Sequence, residues 1–205
     1  MTTRLSGDPA DQRRCHAILL TGHTDLAANE SFEWMTIKGD TTVRRAWRDL
    51  DEFLEKVDQA ILEGCNVYIG LGVRRCPNGG VVGRCGCKHA FDREHVSRVM
   101  AAAADLDVKP PPKGFPSKAM AYDAVKTARR SPSFIVDSGG GLQVYWAFEE
   151  PLADLARFTN IQRGIAKFFG SDPIIDPSRV LRLAGTVNHK DGKPRPTKIL
   201  KVVVE

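Results

Sequence analysis

The chain has 205 residues, 42% of them hydrophobic and 27% charged, which is the composition of a folded globular protein and excludes general disorder. Its net charge of +5 and pI of about 9.0 favour a polyanionic partner. No apolar stretch approaches the roughly 20 residues of a membrane span, and residues 1–14 have no apolar core typical of a signal peptide. We therefore expect a cytoplasmic protein.

The first part of the chain predicts a mixed α/β arrangement. Residues 1–14 are polar and predict a flexible leader, which leaves a single domain over 15–205. In three segments the apolar residues alternate or cluster as they do in strands. In one segment, which ends before Gly64, they recur at helical spacing. The predicted elements are strands over 15–20 and 31–38, a helix over 41–63 and a strand over 66–74.

A cysteine-rich loop follows at 74–91. Cys76, Cys85, Cys87 and His89 are four potential soft ligands around several glycines, and four such ligands can enclose a structural Zn²⁺ ion. The spacing is tighter than usual for zinc sites, so free thiols in a flexible loop are the alternative. Five cysteines with three of them clustered do not resemble a secreted disulfide framework.

Two aspartates end the next predicted strand, at 100–109. Successive side chains of a strand alternate between its faces, so Asp105 and Asp107 project the same way. Neighbouring carboxylates repel each other unless a cation lies between them. The run of alanines before them favours a strand that other elements cover closely. The alternative is a strand that ends in a solvated acidic turn.

A second focus is a glycine-rich hairpin over 133–148. It follows a proline-rich connection and a helix predicted over 118–130, and its turn contains more glycines than a tight turn needs. In the return strand Gln143 projects away from the apolar face, which indicates a polar group where a ligand approaches the backbone. A helix over 152–169 comes next, then a segment that contains Asp172, Asp176, Arg179 and Arg182, and finally a basic strand.

Three motifs in this order resemble the archaeo-eukaryotic primase (AEP) superfamily, and specifically the prim-pol domains of phage and plasmid replication proteins. The motifs are ADLDVK (104–109), SGGGLQVYW (138–146) and SDPIIDPSRVLRLAGTVNHK (171–190), supported by NVYIGLGVRR. The resemblance implies an α+β fold, with mixed or antiparallel sheets flanked by helices. An RRM-like catalytic half is joined to an N-terminal α/β half, and some relatives carry a small zinc-binding insertion.

The resemblance also implies roles for individual residues. Asp105 and Asp107 match the paired ligands of two Mg²⁺ or Mn²⁺ ions, with Asp172 as the third ligand and Asp176 as the reserve. Positions in the turn and in the basic region match the family's phosphate-binding residues: Ser138, Gly140, Gln143, Arg179 and Arg182. Glutamine replaces the histidine that usually ends the middle motif, and it keeps a hydrogen-bond donor without a positive charge.

The implied activity is that of a DNA primase and polymerase, a nucleotidyltransferase that uses dNTPs or NTPs on a single-stranded DNA template by two-metal catalysis. The family often carries a helicase domain further along the parent protein. The main alternative is a non-catalytic, zinc-containing DNA-binding or origin-recognition domain. A metal-dependent nuclease is a third hypothesis. A rolling-circle nicking enzyme is disfavoured because the sequence has no His-hydrophobe-His cluster.

Overall fold

The computed structural model describes residues 6–22, 24–80, 91–111 and 114–203. In chain order its helices and strands are α1 Pro9–Thr21, β1 Glu30–Lys38, β2 Thr41–Trp47, α2 Leu50–Leu62, β3 Asn66–Gly70, β4 Gly72–Arg75, β5 Val96–Asp107, α3 Lys118–Lys126, β6 Phe134–Asp137, β7 Gly141–Leu152, α4 Leu155–Phe169, β8 Val180–Arg182, β9 Val187–Asn188, β10 Arg195–Pro196 and β11 Lys198–Val202. No helix in these ranges has the length and apolarity needed to cross a membrane.

Nine of these strands form one sheet, in the order β11-β6-β7-β5-β4-β1-β3-β8, with β2 paired to β1. Every pairing between these strands is antiparallel. The remaining strands, β9 and β10, form a separate two-stranded ribbon. This arrangement confirms the predicted α+β class with an antiparallel sheet and flanking helices.

Strand β5 connects the two parts of the sheet. Its first residues pair with β4, with Gly72 opposite Val99. Its later residues pair with β7, with Asp105 opposite Gln143 and Asp107 opposite Gly141. Strand β4 pairs with β5 only as far as Val99. Beyond this residue β5 pairs with β7 along one edge, and no strand among the described residues pairs with its other edge.

Both faces of β5 are covered by hydrophobic residues. Ala101 and Ala103 belong to the large core that includes residues of α1 and α2. Ala104 and Leu106 face the opposite way, into a core to which α3 and α4 contribute. The alanines leave room for these elements to approach the strand closely, as the sequence predicted.

The N-terminal segment differs from the sequence prediction. Residues 9–14 are not a flexible leader and 15–20 are not a strand, because both belong to α1. Asp8 caps this helix by accepting from the Ala10 N–H, and proline occupies a first-turn position. The helix buries polar groups: Gln12 accepts from the Ile199 N–H and Arg13 donates to the Gly185 carbonyl. Its inner face is therefore not an apolar stripe, and hydrophobic periodicity does not reveal it.

The helix predicted over 41–63 is wrong in its first third. Residues 41–47 form β2, which pairs with β1 along its whole length, and α2 begins at Leu50 after an Asp49 cap. Trp47 matches the helical spacing in sequence but belongs to the end of β2. Its ring stacks on Phe53 of α2 at a centroid distance of 4.4 Å. The strand predicted over 66–74 is also divided at Leu71 into β3 and β4, which both pair with β1 but have different second partners, β8 for β3 and β5 for β4.

Candidate active site

A small pocket lies at the C-terminal end of β5. It is lined by Asp105, Leu106, Asp107, Gly114, Phe115, Gly170, Ser171 and Asp172. The connection after β5 folds back on the strand, because Phe115 donates its N–H to the Asp107 carbonyl at 2.9 Å. The loop after α4 closes the pocket from the other side. The neighbouring pair Asp105 and Asp107 and the distant Asp172 thus line one pocket.

The structure separates the two candidates for the third acidic position. Asp172 is exposed and lines the pocket. Asp176 does not line it, and its carboxylate instead accepts from the Ser178 N–H at 2.9 Å. Burial lowers the pKa of the Arg74 guanidinium, and Asp176 is one of the nearby acids that act against this shift. Asp172 is therefore the acidic residue of this loop that faces the Asp105–Asp107 pair.

Burial of the Asp105 carboxyl raises its pKa to about 6, and the negative charge of Asp107 adds to the effect. The groups that act in the opposite direction are Arg179, Gln143 and Arg182. Both predicted arginines therefore lie near enough to Asp105 to act on its carboxyl group electrostatically. The pocket therefore combines a carboxylate that is costly to ionise with nearby positive charge.

Gln143 contacts Asp105 directly. The two residues are opposite each other on β5 and β7, and the Gln143 amide donates a side-chain hydrogen bond to the carboxylate. The amide oxygen accepts from the Tyr145 hydroxyl at 3.4 Å, and Gln143 is 4% exposed. Both ends of this side chain are thus engaged by protein groups.

The acidic residues fit a hard divalent cation in their chemistry, since all their donors are carboxylate oxygens. Burial of Asp105 next to Asp107 also creates a negative site that a cation would neutralise. Within the described ranges, no three His, Cys, Asp or Glu side chains stand close enough to enclose an ion. Asp107 is ion-paired with Lys109 at 2.5 Å, so it must exchange this partner for the ion.

The glycine turn between β6 and β7 is shaped largely by packing. Gly139 has a φ of +82°, and a Cβ there would lie 3.0 Å from both Asn188 and Arg195 of the ribbon. A Cβ at Gly141 would lie 2.3 Å from the Leu106 carbonyl oxygen. At Gly140 the nearest atom would be 3.7 Å away. At Gly140, therefore, packing against neighbouring protein atoms does not require a glycine.

Ser138 and Arg182 are engaged within the protein. The Ser138 hydroxyl donates to the Gly141 carbonyl at 3.2 Å. The Arg182 guanidinium donates to Asn66 at 2.7 Å and to Tyr68 at 2.8 Å, and it also lies over the Tyr68 ring. Arg179 is exposed. Of the residues predicted to bind phosphate, Gly140 and Arg179 are the more accessible.

The β9–β10 ribbon brings further polar residues to the turn, and sequence reasoning assigned them no role. Asn188 donates to the Ser138 carbonyl at 2.9 Å and accepts from the Lys190 N–H at 2.9 Å. Burial lowers the pKa of Arg182, and the positive charge of Arg195, which is opposite Asn188 in the ribbon, adds to this effect. The Gly-Thr-x-Asn sequence, which runs into β9, was the available signal.

The predicted zinc loop lies mostly outside the described residues. Cys85, Cys87 and His89 are in the range that the structure does not describe. Cys76 is described and buried, next to the end of β4. The Zn²⁺ site remains a prediction.

No family model matches this sequence, and no curated protein matches it. Solved structures do match its fold. The AEP domain (PP-N190) of the cyanophage S-2L primase-polymerase matches with a TM-score of 0.67 at 23% identity, covering 95% of this chain and 91% of that one.

Primase RepB′ matches with a TM-score of 0.59 at 16% identity, covering 95% of this chain and 56% of that one. The catalytic domain of RepB′ in complex with initiator DNA matches at 0.59 and 18%, covering 95% and 84%. These likenesses confirm at the level of fold the resemblance that the sequence motifs predicted. The chain has the fold of the AEP-type primases and primase-polymerases.

Proposed function

We propose that this protein is a template-directed nucleotidyltransferase, a DNA primase and polymerase of a phage or plasmid replication system. The observation that supports this most is the pocket shared by Asp105, Asp107 and Asp172, on the fold of AEP primases. A half-buried carboxylate whose ionisation is unfavourable favours a catalytic site over a domain that only holds DNA. Such a group is typical of functional sites.

In this proposal the three carboxylates hold two Mg²⁺ or Mn²⁺ ions. When bound, the ions supply Lewis-acid activation of a primer 3′-hydroxyl and neutralise charge on the triphosphate. Asp105 is the fixed member, since β5 and Gln143 restrain it. Asp107 and Asp172 are more exposed, and in this proposal they complete the ligand set.

The nucleotide phosphates lie, in this proposal, between the glycine turn and the basic loop. Gly140 offers backbone without a side chain, next to Ser138. Arg179 and Arg182 supply positive charge close to Asp105. Gln143 supports the Asp105 carboxylate from within the sheet, which differs from the phosphate contact that the sequence suggested.

The proposed partner is single-stranded DNA together with dNTPs or NTPs. The basic composition favours phosphate contacts, and a RepB′ catalytic domain has been solved in complex with initiator DNA. The proposal also includes a cytoplasmic location and a helicase domain elsewhere in the parent protein.

The test is synthesis on a single-stranded template with labelled nucleotides and Mn²⁺. We expect labelled oligomers from the wild-type chain. An Asp105→Ala, Asp107→Ala double variant should lose at least about a hundredfold in rate, because it removes charge that acts in the transition state. Asp123→Ala is the matched control, since Asp123 is an exposed acid that pairs with Lys126 on α3.

Three outcomes would contradict the proposal. Equal synthesis by the double variant and the control would show that the two carboxylates take no part in the reaction. DNA binding without synthesis would favour the origin-recognition domain, and Mn²⁺-dependent cleavage of the template would favour a nuclease.

A further inference from the structure

One buried side chain connects the strand of the paired aspartates to the loop of the third. Beyond Val99 no strand among the described residues pairs with the β5 edge that faces away from β7. Gln162 of α4 occupies this edge, because its Oε1 accepts from the Ala103 N–H at 3.1 Å and its Nε2 donates to the Ala103 carbonyl at 3.1 Å. The side-chain amide thus takes the place of a neighbouring strand.

The same amide also binds the loop that follows α4. Nε2 of Gln162 donates to the Ile174 carbonyl at 2.9 Å. Ala103 is two positions before Asp105, and Ile174 is two positions after Asp172. One side chain therefore sets the separation between the two backbone segments that carry the carboxylates.

The environment makes these hydrogen bonds difficult to replace. Gln162 is 1% exposed and Ile174 is 3% exposed, so water does not readily substitute for a lost partner. On α4 Gln162 lies between Phe158 and Ile165 along the face that packs against the sheet. An apolar residue at this position would satisfy the packing, and the amide is therefore informative.

From this geometry we infer that Gln162 is a positioning residue for the divalent-cation site, holding Asp172 within reach of Asp105 and Asp107. The inference rests on the proposed function, because it concerns the ions of that site. Gln162 does not contact the ion or the nucleotide. It acts through the loop that carries Asp172.

The test measures Mn²⁺ binding directly, by electron paramagnetic resonance of free Mn²⁺ with the full chain and no nucleotide. Gln162→Met keeps the volume and removes the amide. We expect Mn²⁺ affinity to fall by about tenfold to a hundredfold, the usual effect of removing a partner that orients a metal ligand.

Gln12→Met is the matched control. Gln12 is also a buried glutamine on a helix that accepts from a strand N–H, that of Ile199 in β11, and its other hydrogen bond goes to Ser6. We expect Gln12→Met to lower the thermal midpoint as Gln162→Met does and to leave Mn²⁺ affinity unchanged. If both variants weaken Mn²⁺ binding equally, the role of Gln162 is one of general stability and the inference fails.

A double-variant cycle identifies the route of the effect. If Gln162 acts through the third carboxylate, Gln162→Met should weaken Mn²⁺ binding little further in an Asp172→Asn background. Additive losses would overturn this route. Should Gln162→Met not fold, Gln162→Asn, which keeps an amide too short to bridge both segments, is measured in its place with the same expectation.

The two proposals fail in different ways. A wild-type chain that does not bind Mn²⁺ contradicts the proposed function and, with it, the inference. A wild-type chain that binds Mn²⁺ as tightly as the Gln162→Met variant contradicts the inference alone.

Discussion

At the scale of single residues, the raised pKa of Asp105 makes this carboxyl group unfavourable for the stability of the fold at neutral pH. Its pKa is raised from the ordinary 3.8 to about 6, with burial as the largest cause. Between these values the folded state binds more protons than the unfolded state, so the Asp105 contribution to stability falls as pH rises. Without metal, Asp105→Asn should therefore be more stable than wild type at pH 7.5, by up to about 3 kcal/mol, and the difference should shrink towards pH 4.5.

The measurement is urea unfolding of both chains in EDTA across this range. Only the difference between the chains is informative, because His16 acts in the opposite direction. Burial lowers the pKa of His16 to about 3, so its contribution to stability falls as pH drops below 6.5, equally in both chains. A difference that does not change with pH would contradict the expectation.

The sequence predicted the placement of the paired aspartates better than it predicted their surroundings. Strand alternation alone placed Asp105 and Asp107 on one face. The choice of Asp172 over Asp176 depends on how the loop after α4 packs against β5, and no local pattern encodes that. The same holds for Gln143: whether it meets a ligand or Asp105 depends on the register between β5 and β7.

At the scale of elements, the glycine turn allows a test of structural against functional need. Gly141→Ala would place a Cβ 2.3 Å from the Leu106 carbonyl oxygen and force β7 away from β5. We expect it to cost about 1–3 kcal/mol of stability. Gly140→Ala meets no atom closer than 3.7 Å and should fold normally.

Gly140→Ala should instead raise the KM for nucleotide several-fold, because the added methyl group lies where the proposal places the phosphates. Thermal unfolding and steady-state kinetics on one template separate the two effects. An unchanged KM for Gly140→Ala would contradict the proposed position of the phosphates beside Gly140.

Elements with strong periodicity were predicted and those without it were missed. The hairpin of β6 and β7 and the helix α4 have apolar faces that the sequence displays clearly. Helix α1 buries polar side chains, and β2 is mostly exposed, so neither presents such a face. Gln162 did leave a signal, as the polar residue on the inner face of α4.

At the scale of the molecule, a buried ionic cluster connects the N-terminal strands to the site loop. Glu33 of β1 is ion-paired with both Arg44 of β2 and Arg74 of β4. Each arginine also donates to the Ser178 carbonyl at 3.2 Å. The loop between Asp172 and Arg179 is thereby fixed to the distant half of the sheet.

We expect Glu33→Ala to destabilise the protein by about 3–5 kcal/mol, because it leaves Arg74 buried without its counter-charge. Glu52→Ala is the control, since Glu52 forms an exposed ion pair with Lys56 and should cost less than about 1 kcal/mol. Urea denaturation of the two variants gives the comparison. Similar small losses in both would show that the buried cluster contributes little to stability.

The edge of β5 that lacks a strand partner beyond Val99 also affects how the chain behaves while it folds. The residues that cover it belong to α4 and the following loop, which leave the ribosome after β5 does. Until then an alanine-rich edge is open to pairing with another copy of the chain. Asp105 and Asp107 lie at its end, and like charges stacked between copies would repel. We therefore expect that neutralising both carboxylates lowers the yield of monomer during refolding.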